Sequence, residues 1–234
     1  MADTRVVNGN WHDFAAFQVF GDYVPIRDFH VVVRLVLQAQ VHDTVLGMRA
    51  RSEKPLDPTL GQMCIRAGLW MTERCPCTFV YATTEECLVL VPPDRVATPG
   101  ATMAAHDALT SLFAARLARL SGWELEVSGA LYELPSLAVV RRLFVGALES
   151  GRRQTLRRSA RRLCAQLRGR GHAIAEGDLA SAEAQANMLE SHGVKVESLP
   201  EWWWTGMAAR RSPTGAELLD ALPDGDGFGE LIVG

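Results

Sequence analysis

Residues 79–91 read FVYATTEECLVLV, in which two apolar, strand-like runs flank a polar centre. This pattern predicts a β-hairpin with strands at about 78–82 and 86–91 around a turn at 83–85. A second run, HVVVRLVLQAQV at 30–41, is β-branched and almost continuously apolar, which is typical of a buried central strand. The chain therefore has to build a β-sheet around these strands.

The predicted turn carries two adjacent acids, Glu85 and Glu86. An interior strand has little reason to hold paired acids, so two interpretations are open. The acids belong to a metal or nucleotide site, or they lie in a solvated turn. Because adjacent strand residues point to opposite faces, at most one of the two is expected to face a shared site.

Helical patterns alternate with the strands. Asp57 as an N-cap, followed by Pro58 at the first helical position, predicts a helix that Pro76 ends. Other patterns predict a helix at 102–120, a strand at 123–132 and helices at 136–148, 152–168 and 178–192.

The order β-α-β-β-α-β, followed by helices, predicts an α+β fold. We expect a ferredoxin-like antiparallel sheet with helices on one face, plus a helical C-terminal half. Residues 1–134 form the expected core, and residues 135–211 form a helical, basic region that completes the same domain. The Gly-, Pro- and Asp-rich segment 212–234 is predicted to be a flexible tail.

Positive charge is concentrated in one part of a mildly acidic chain. The formal net charge is −3, yet residues 141–170 contain ten arginines and one acid, Glu149. At helical spacing Arg153, Arg157 and Arg161 share one face, which favours binding to a phosphate backbone. The alternative is a solvated face whose arginines pair with acids elsewhere in the fold.

The five cysteines are odd in number and lack a CxxC pair, which favours reduced thiols in a cytoplasmic protein. The N-terminus shows no secretory signal, and no run reaches the ~18 apolar residues that span a bilayer, so no membrane contact is expected. Three consecutive tryptophans at 202–204 either stack on bases or anchor a core or a subunit interface.

Six segments resemble, in order, motifs of the tRNA-His guanylyltransferase family. They are VVVRLVLQ, EKPLD, FVYATTEECLVLV, LYELPS, GRRQ and MLESHGVKVESLPEWWWTGM, and they cover roughly residues 20 to 210. The resemblance implies a polymerase-palm version of the sheet. It also implies transfer of a nucleotide from GTP or ATP to a tRNA 5′ end with Mg²⁺, and assembly as a homodimer or homotetramer.

The resemblance assigns expected roles to individual residues. Glu85 and Glu86 are the expected catalytic acids, and Glu85 is the expected metal ligand. The expected nucleotide-binding residues are Gln38, Lys54, Asp57 and Thr84. The expected RNA-binding residues follow from the charge and spacing of the arginine-rich helix, in which Arg153 and Gln154 also match the family motif. They are Arg152, Arg153, Gln154, Arg157, Arg158 and Arg161.

The chain departs from the family pattern at the metal site. Val36 stands where the family has its first metal aspartate, and Val36 cannot bind a cation through its side chain. Two functions follow. The first is a divergent nucleotidyltransferase acting on an RNA 5′ end or a related acceptor. The second is a catalytically inactive member that binds tRNA, nucleotide or an active paralogue.

Overall fold

The computed structural model describes residues 14, 17–18, 26, 28–38, 59–75, 77–98, 100–122, 124–173, 179–195, 200–219 and 223. Within these ranges the chain forms six strands and five α-helices. The strands are β1 (His30–Leu37), β2 (Phe79–Ala82), β3 (Glu86–Val91), β4 (Val127–Leu134), β5 (Met207–Ser212) and β6 (Gly215–Leu219). The helices are α1 (Thr59–Arg74), α2 (Ala101–Ser121), α3 (Leu137–Gly169), α4 (Ala182–Ser191) and α5 (Glu201–Thr205).

The strands form one antiparallel sheet in the order β4-β1-β3-β2-β5-β6. β1 pairs with β3 on one side and with β4 on the other, so it is the interior strand that its apolar sequence predicts. In the β1–β3 register, Val36 lies opposite Glu86 and Arg34 lies opposite Leu88. The predicted α+β fold and the β2–β3 hairpin are confirmed.

Helices cover both faces of the sheet, whereas the sequence led us to expect them on one face, and β1 is apolar on both sides for this reason. Val31, Val33 and Leu35 contribute to a core with α1 and α2. Val32 points to the opposite face and contributes to a second core with α3, which includes Phe144. Arg34, two residues after Val32, shares this second face.

A third, smaller core lies between α4 and the C-terminal half of α3. It contains Leu163, Cys164, Met188 and Leu189, all buried. The long helix α3 therefore packs on the sheet with its first half and on α4 with its second half.

The two helices predicted at 136–148 and 152–168 are a single helix of 33 residues, α3. Ser136 caps its N-terminus by accepting a hydrogen bond from the backbone N–H of Val139. Gly151 suggests a break in the sequence, but an interior glycine costs a helix only about 1 kcal/mol, and packing outweighs that amount. The prediction of two helices was wrong on this point.

The sheet also extends further along the chain than the sequence suggests. β5 lies at the end of the segment predicted to be helical, where it pairs with β2, and β6 pairs with β5 inside the predicted tail. β5 has the sequence MAARRS, and its buried residues, Ala208 and Ala209, are small. Two alanines give a weak strand signal, so pairing with β2 decides the structure here.

A candidate functional site at the hairpin turn

The β2–β3 turn is closed by its own hydrogen bonds. The backbone N–H of Thr83 donates to the carbonyl of Glu86 over 2.8 Å. The Thr83 hydroxyl accepts from the backbone N–H groups of Glu85 and Glu86 at 3.3 and 3.2 Å. A threonine hydroxyl that bonds backbone groups two and three residues on is a common way to fix a tight turn.

Two helices enclose this turn. A Cβ placed on Gly61 of α1 would lie 2.8 Å from Cγ2 of Thr84, and one placed on Gly151 of α3 would lie 3.2 Å from Cγ2 of Thr83. The hydroxyls of Thr84 and Thr155, the latter from α3, are hydrogen-bonded at 3.2 Å. Glycine at both contact points lets the helices approach closely enough to bury the turn.

The two acids are consequently buried: Glu85 is 7% exposed and Glu86 is 3% exposed. The solvated-turn interpretation is therefore wrong. A buried carboxylate needs a counter-charge or a proton, because the loss of hydration disfavours the charged form.

Glu86 has Arg34 as its counter-charge. Nε and Nη2 of Arg34 both lie 2.7 Å from Oε2 of Glu86. The contact crosses diagonally from β1 to β3, since Arg34 stands opposite Leu88. Burial raises the pKa of Glu86, and the Arg34 guanidinium opposes that rise.

Glu85 has Arg158 as its counter-charge. Nη1 of Arg158, on α3, forms an ion pair with Oε1 of Glu85. The carbonyl of Glu85 also accepts the backbone N–H of Leu37 over 2.9 Å, which ties the turn to the end of β1. Glu85 belongs to the turn rather than to a strand, so strand alternation does not separate it from Glu86. Arg158 also acts electrostatically on Glu86, so the two ion pairs are neighbours.

We call Arg34, Glu85, Glu86 and Arg158 the hairpin corner. Its two positive and two negative side chains give a formal net charge of zero. Among the described residues, no group of three or more His, Cys, Asp or Glu side chains is placed to hold a metal ion. Val36, opposite Glu86, supplies no ligand either. The residues of the hairpin corner therefore do not fit a two-metal carboxylate clamp.

The predicted nucleotide-binding residues are only partly described. Gln38 follows β1 and donates its backbone N–H to the carbonyl of Glu126 over 3.1 Å. Thr84 lies in the buried turn. Both are therefore at the same end of the sheet as Glu85. Lys54 and Asp57 lie outside the described residues.

The predicted RNA-binding residues divide into two groups on α3. Arg153, Arg157 and Arg161 are exposed, whereas Arg152, Gln154 and Arg158 are partly buried. Gln154 donates from Nε2 to the hydroxyl of Ser150 over 3.2 Å, and Arg158 contacts Glu85. Only the first group faces solvent as a nucleic-acid surface requires.

Because α3 is continuous, its exposed face extends beyond the predicted set. At 3.6 residues per turn, five exposed arginines fall within an arc of about 100° and span about 39 Å of helix. We call them the arginine stripe, and they are Arg142, Arg153, Arg157, Arg161 and Arg168. The predicted set omitted two members: Arg142 fell in a separate predicted helix, and Arg168 was omitted although it ended the predicted helix 152–168.

The tryptophans and cysteines have mainly structural surroundings. The rings of Trp202 and Trp203 lie 5.6 Å apart at 52°, and Trp202 packs against the α1–α2 core. All five cysteines are buried thiols. Burial raises the pKa of Cys64 to about 12, with the nearby Glu85 adding to the rise. None of the described helices is long and apolar enough to cross a bilayer.

Comparison with solved structures identifies the architecture. A bacterial tRNA(His) guanylyltransferase-like protein in complex with ATP superposes with a TM-score of 0.68 at 13% identity, covering 93% of this chain and 94% of that one. The fold is that of the tRNA-His guanylyltransferases. A guanylyltransferase-like protein in complex with GTP gives 0.62, also at 13% identity with coverage of 93% and 94%. The guanylyltransferase of Saccharomyces cerevisiae gives 0.60 at 13% identity, with coverage of 87% and 93%.

No family model and no curated protein sequence matches the chain. The chain thus shares the guanylyltransferase fold over nearly its full length at 13% sequence identity. The hairpin corner lies where the motif resemblance expects the family's second metal aspartate, and there the fold holds an acid bound to Arg158.

Proposed function

We propose that this protein binds RNA through the arginine stripe, and a nucleotide near the sheet end formed by Gln38 and the hairpin turn, without two-metal nucleotidyl transfer. The hairpin corner is the observation that supports the absence of two-metal transfer. Both acids that the transfer reaction would use for cations are buried against arginines. Removing one partner of such a pair is strongly unfavourable, so the acids act first as structural counter-charges.

The arginine stripe supports the RNA part of the proposal. Its five guanidinium groups project from one face of a rigid helix, and arginine presents planar donors that match phosphate oxygens. Phosphate contacts of this kind position a protein on nucleic acid without reading its sequence. tRNA is the first candidate, since the proteins that share the fold are named as tRNA(His) guanylyltransferases.

Nucleotide binding is supported by two of those structures, which contain ATP and GTP. They also favour a second candidate function, nucleotidyl transfer with a rebuilt cation site in a homodimer or homotetramer. For that reaction Lys54 and Asp57 would have to supply part of the nucleotide site together with Gln38 and Thr84.

One experiment separates the two functions. The protein is incubated with labelled GTP or ATP, Mg²⁺ or Mn²⁺ and bulk tRNA, and both label transfer and retention of tRNA on a filter are measured. We expect tRNA retention without label transfer. The matched variants are Glu85→Ala, which removes the turn acid, and Val36→Asp, which restores a carboxylate opposite Glu86.

The two variants distinguish the possible outcomes. Metal-dependent transfer by the wild-type protein that disappears in Glu85→Ala would establish the transferase and overturn the binding-only proposal. Transfer found only in Val36→Asp would show that the missing carboxylate prevents the reaction. Absence of tRNA retention at low salt would contradict the RNA-binding proposal itself.

A further inference from the structure

Arg158 sits where the arginine stripe and the hairpin corner meet. It follows Arg157 and precedes Arg161 by three residues on α3, so its side chain lies beside the exposed stripe. Its guanidinium nevertheless contacts Glu85, and its side chain is 21% exposed while that of Glu85 is 9% exposed. Arg158 is therefore bound to an internal anion at the edge of a surface suited to external anions.

Arg34 differs from Arg158 in this respect. It belongs to β1 inside the sheet, and two of its nitrogens hold one oxygen of Glu86. It is held on a strand rather than on α3, and its side chain is 16% exposed. Only Arg158 is attached to the helix that carries the stripe.

We propose that Arg158 is shared between two anions: it neutralises Glu85 in the free protein and turns to a phosphate when RNA lies along the arginine stripe. This inference rests on the proposed RNA-binding function. The exchange replaces a carboxylate by a phosphate, so Arg158 keeps a counter-charge throughout. Glu85 loses its contact with Arg158, and RNA binding is weakened by the free energy of breaking that contact.

The exchange has a distinctive effect on RNA affinity. Replacing Glu85 by glutamine removes the carboxylate in direct contact with Arg158, so Arg158 reaches the phosphate without breaking that ion pair. We expect Glu85→Gln to bind RNA about tenfold more tightly at a fixed salt concentration, which corresponds to one charge-assisted hydrogen bond. The slope of log affinity against log salt stays unchanged, because the number of phosphate contacts stays the same.

Glu86→Gln is the matched control. It lies next to Glu85, it makes the same change in net charge, and Arg34, which lies on β1 rather than on α3, acts on it more strongly than Arg158 does. Affinity for bulk tRNA is measured over a range of salt concentrations for wild type, Glu85→Gln, Glu86→Gln, Arg158→Gln and the double variant Glu85→Gln/Arg158→Gln. The double variant contains no unpaired charge at this position, which keeps the comparison valid if Arg158→Gln alone fails to fold.

The expected pattern is specific. The slope of log affinity against log salt is shallower by about 0.7 to 0.9 in Arg158→Gln than in wild type, because one phosphate contact is lost. The same difference separates the double variant from Glu85→Gln. The tenfold gain from Glu85→Gln disappears when Arg158 is absent. The proposal is overturned if the slope does not depend on Arg158, or if Glu85→Gln and Glu86→Gln increase affinity equally, since that result reflects net charge alone.

Arg157→Gln and Arg161→Gln separate this inference from the function on which it rests. If they lower the slope and Arg158→Gln does not, the stripe binds RNA while Arg158 stays on Glu85. If none of the three lowers the slope, the stripe is not the binding surface, and the proposed function and the exchange are both wrong.

Discussion

Glu86 combines a nearly complete loss of hydration with two contacts from one guanidinium. Its side chain is 4% exposed, and Arg34 approaches Oε2 with two nitrogens at 2.7 Å. Burial raises the pKa of the carboxyl and the arginine lowers it, and burial is the larger influence. The charged form of Glu86 is therefore less favourable in the folded chain than in the unfolded chain.

This balance gives the pH dependence of stability a definite sign. A carboxyl whose pKa is higher in the folded state contributes most below its unfolded pKa, and that contribution is lost as the pH rises through the folded value. The free energy of unfolding of wild type minus that of Glu86→Gln should therefore fall as the pH rises above 4.5. The total fall is about 1.4 kcal/mol for each unit by which the folded pKa exceeds the unfolded pKa. Urea unfolding at several pH values measures the difference. A difference that grows with pH would mean that Arg34 outweighs burial.

Arg34 should be necessary for stability as long as Glu86 is charged. Arg34→Gln leaves a buried carboxylate without its counter-charge, and we expect a loss of about 3–5 kcal/mol in the free energy of unfolding at neutral pH. The double variant Arg34→Gln/Glu86→Gln should recover part of that loss, because neither side chain is then charged. A double-mutant cycle by denaturant unfolding measures the coupling, and additive losses would contradict the pairing.

At the scale of elements, α1 contacts the hairpin through glycines two helical turns apart. A Cβ on Gly68 would lie 2.6 Å from the Cβ of Ala82 and 3.0 Å from Sγ of Cys87. The Ala82 Cβ is fixed to the backbone of β2 and cannot rotate away. The small side chains of this contact therefore set the distance between helix and sheet, and with it the enclosure of the turn.

Gly68→Ala should destabilise the protein even though alanine favours helix. The added methyl overpacks a rigid contact, and we expect a loss of about 1–3 kcal/mol in the free energy of unfolding. Gly169→Ala in α3 is the control, because no atom lies within 4 Å of its added Cβ. There we expect a gain of up to about 1 kcal/mol from helix propensity alone. Thermal and urea unfolding of both variants test the contact, and equal effects would contradict it.

The sequence is informative about elements whose signals are local. The hairpin, β1 and the outline of α2 follow from apolar patterns and turn residues, and the antiparallel sheet follows from their order. β5 escapes prediction because its pairing partner, β2, lies more than 120 residues away in the chain, and β6 forms by pairing with β5. The ion pair between Glu85 and Arg158 escapes for the same reason, since no local pattern links a turn acid to one arginine among ten.

At the scale of the whole molecule, the opposite faces of the sheet carry different helices. α1 and α2 cover one face and α3 covers the other, so the exposed arginines of α3 lie on the far side of the molecule from those of α1 and α2. This separation provides an internal control for the proposed RNA surface. Two sets of three exposed arginines can be removed with identical changes in net charge.

The salt dependence of RNA binding should distinguish the two faces. Each phosphate contact contributes about 0.7 to 0.9 to the slope of log affinity against log salt, so losing three stripe arginines should reduce the slope by about 2 to 3. The same number of replacements on the opposite face should leave the slope unchanged, because general attraction by net charge is screened over about 10 Å at 0.1 M salt. Filter retention of bulk tRNA at several salt concentrations measures both slopes. Equal reductions in the two variants would show that the protein attracts RNA by overall charge and that α3 provides no defined surface. The variants replace by glutamine the exposed residues Arg157, Arg161 and Arg168 in one case and Arg66, Arg74 and Arg119 in the other.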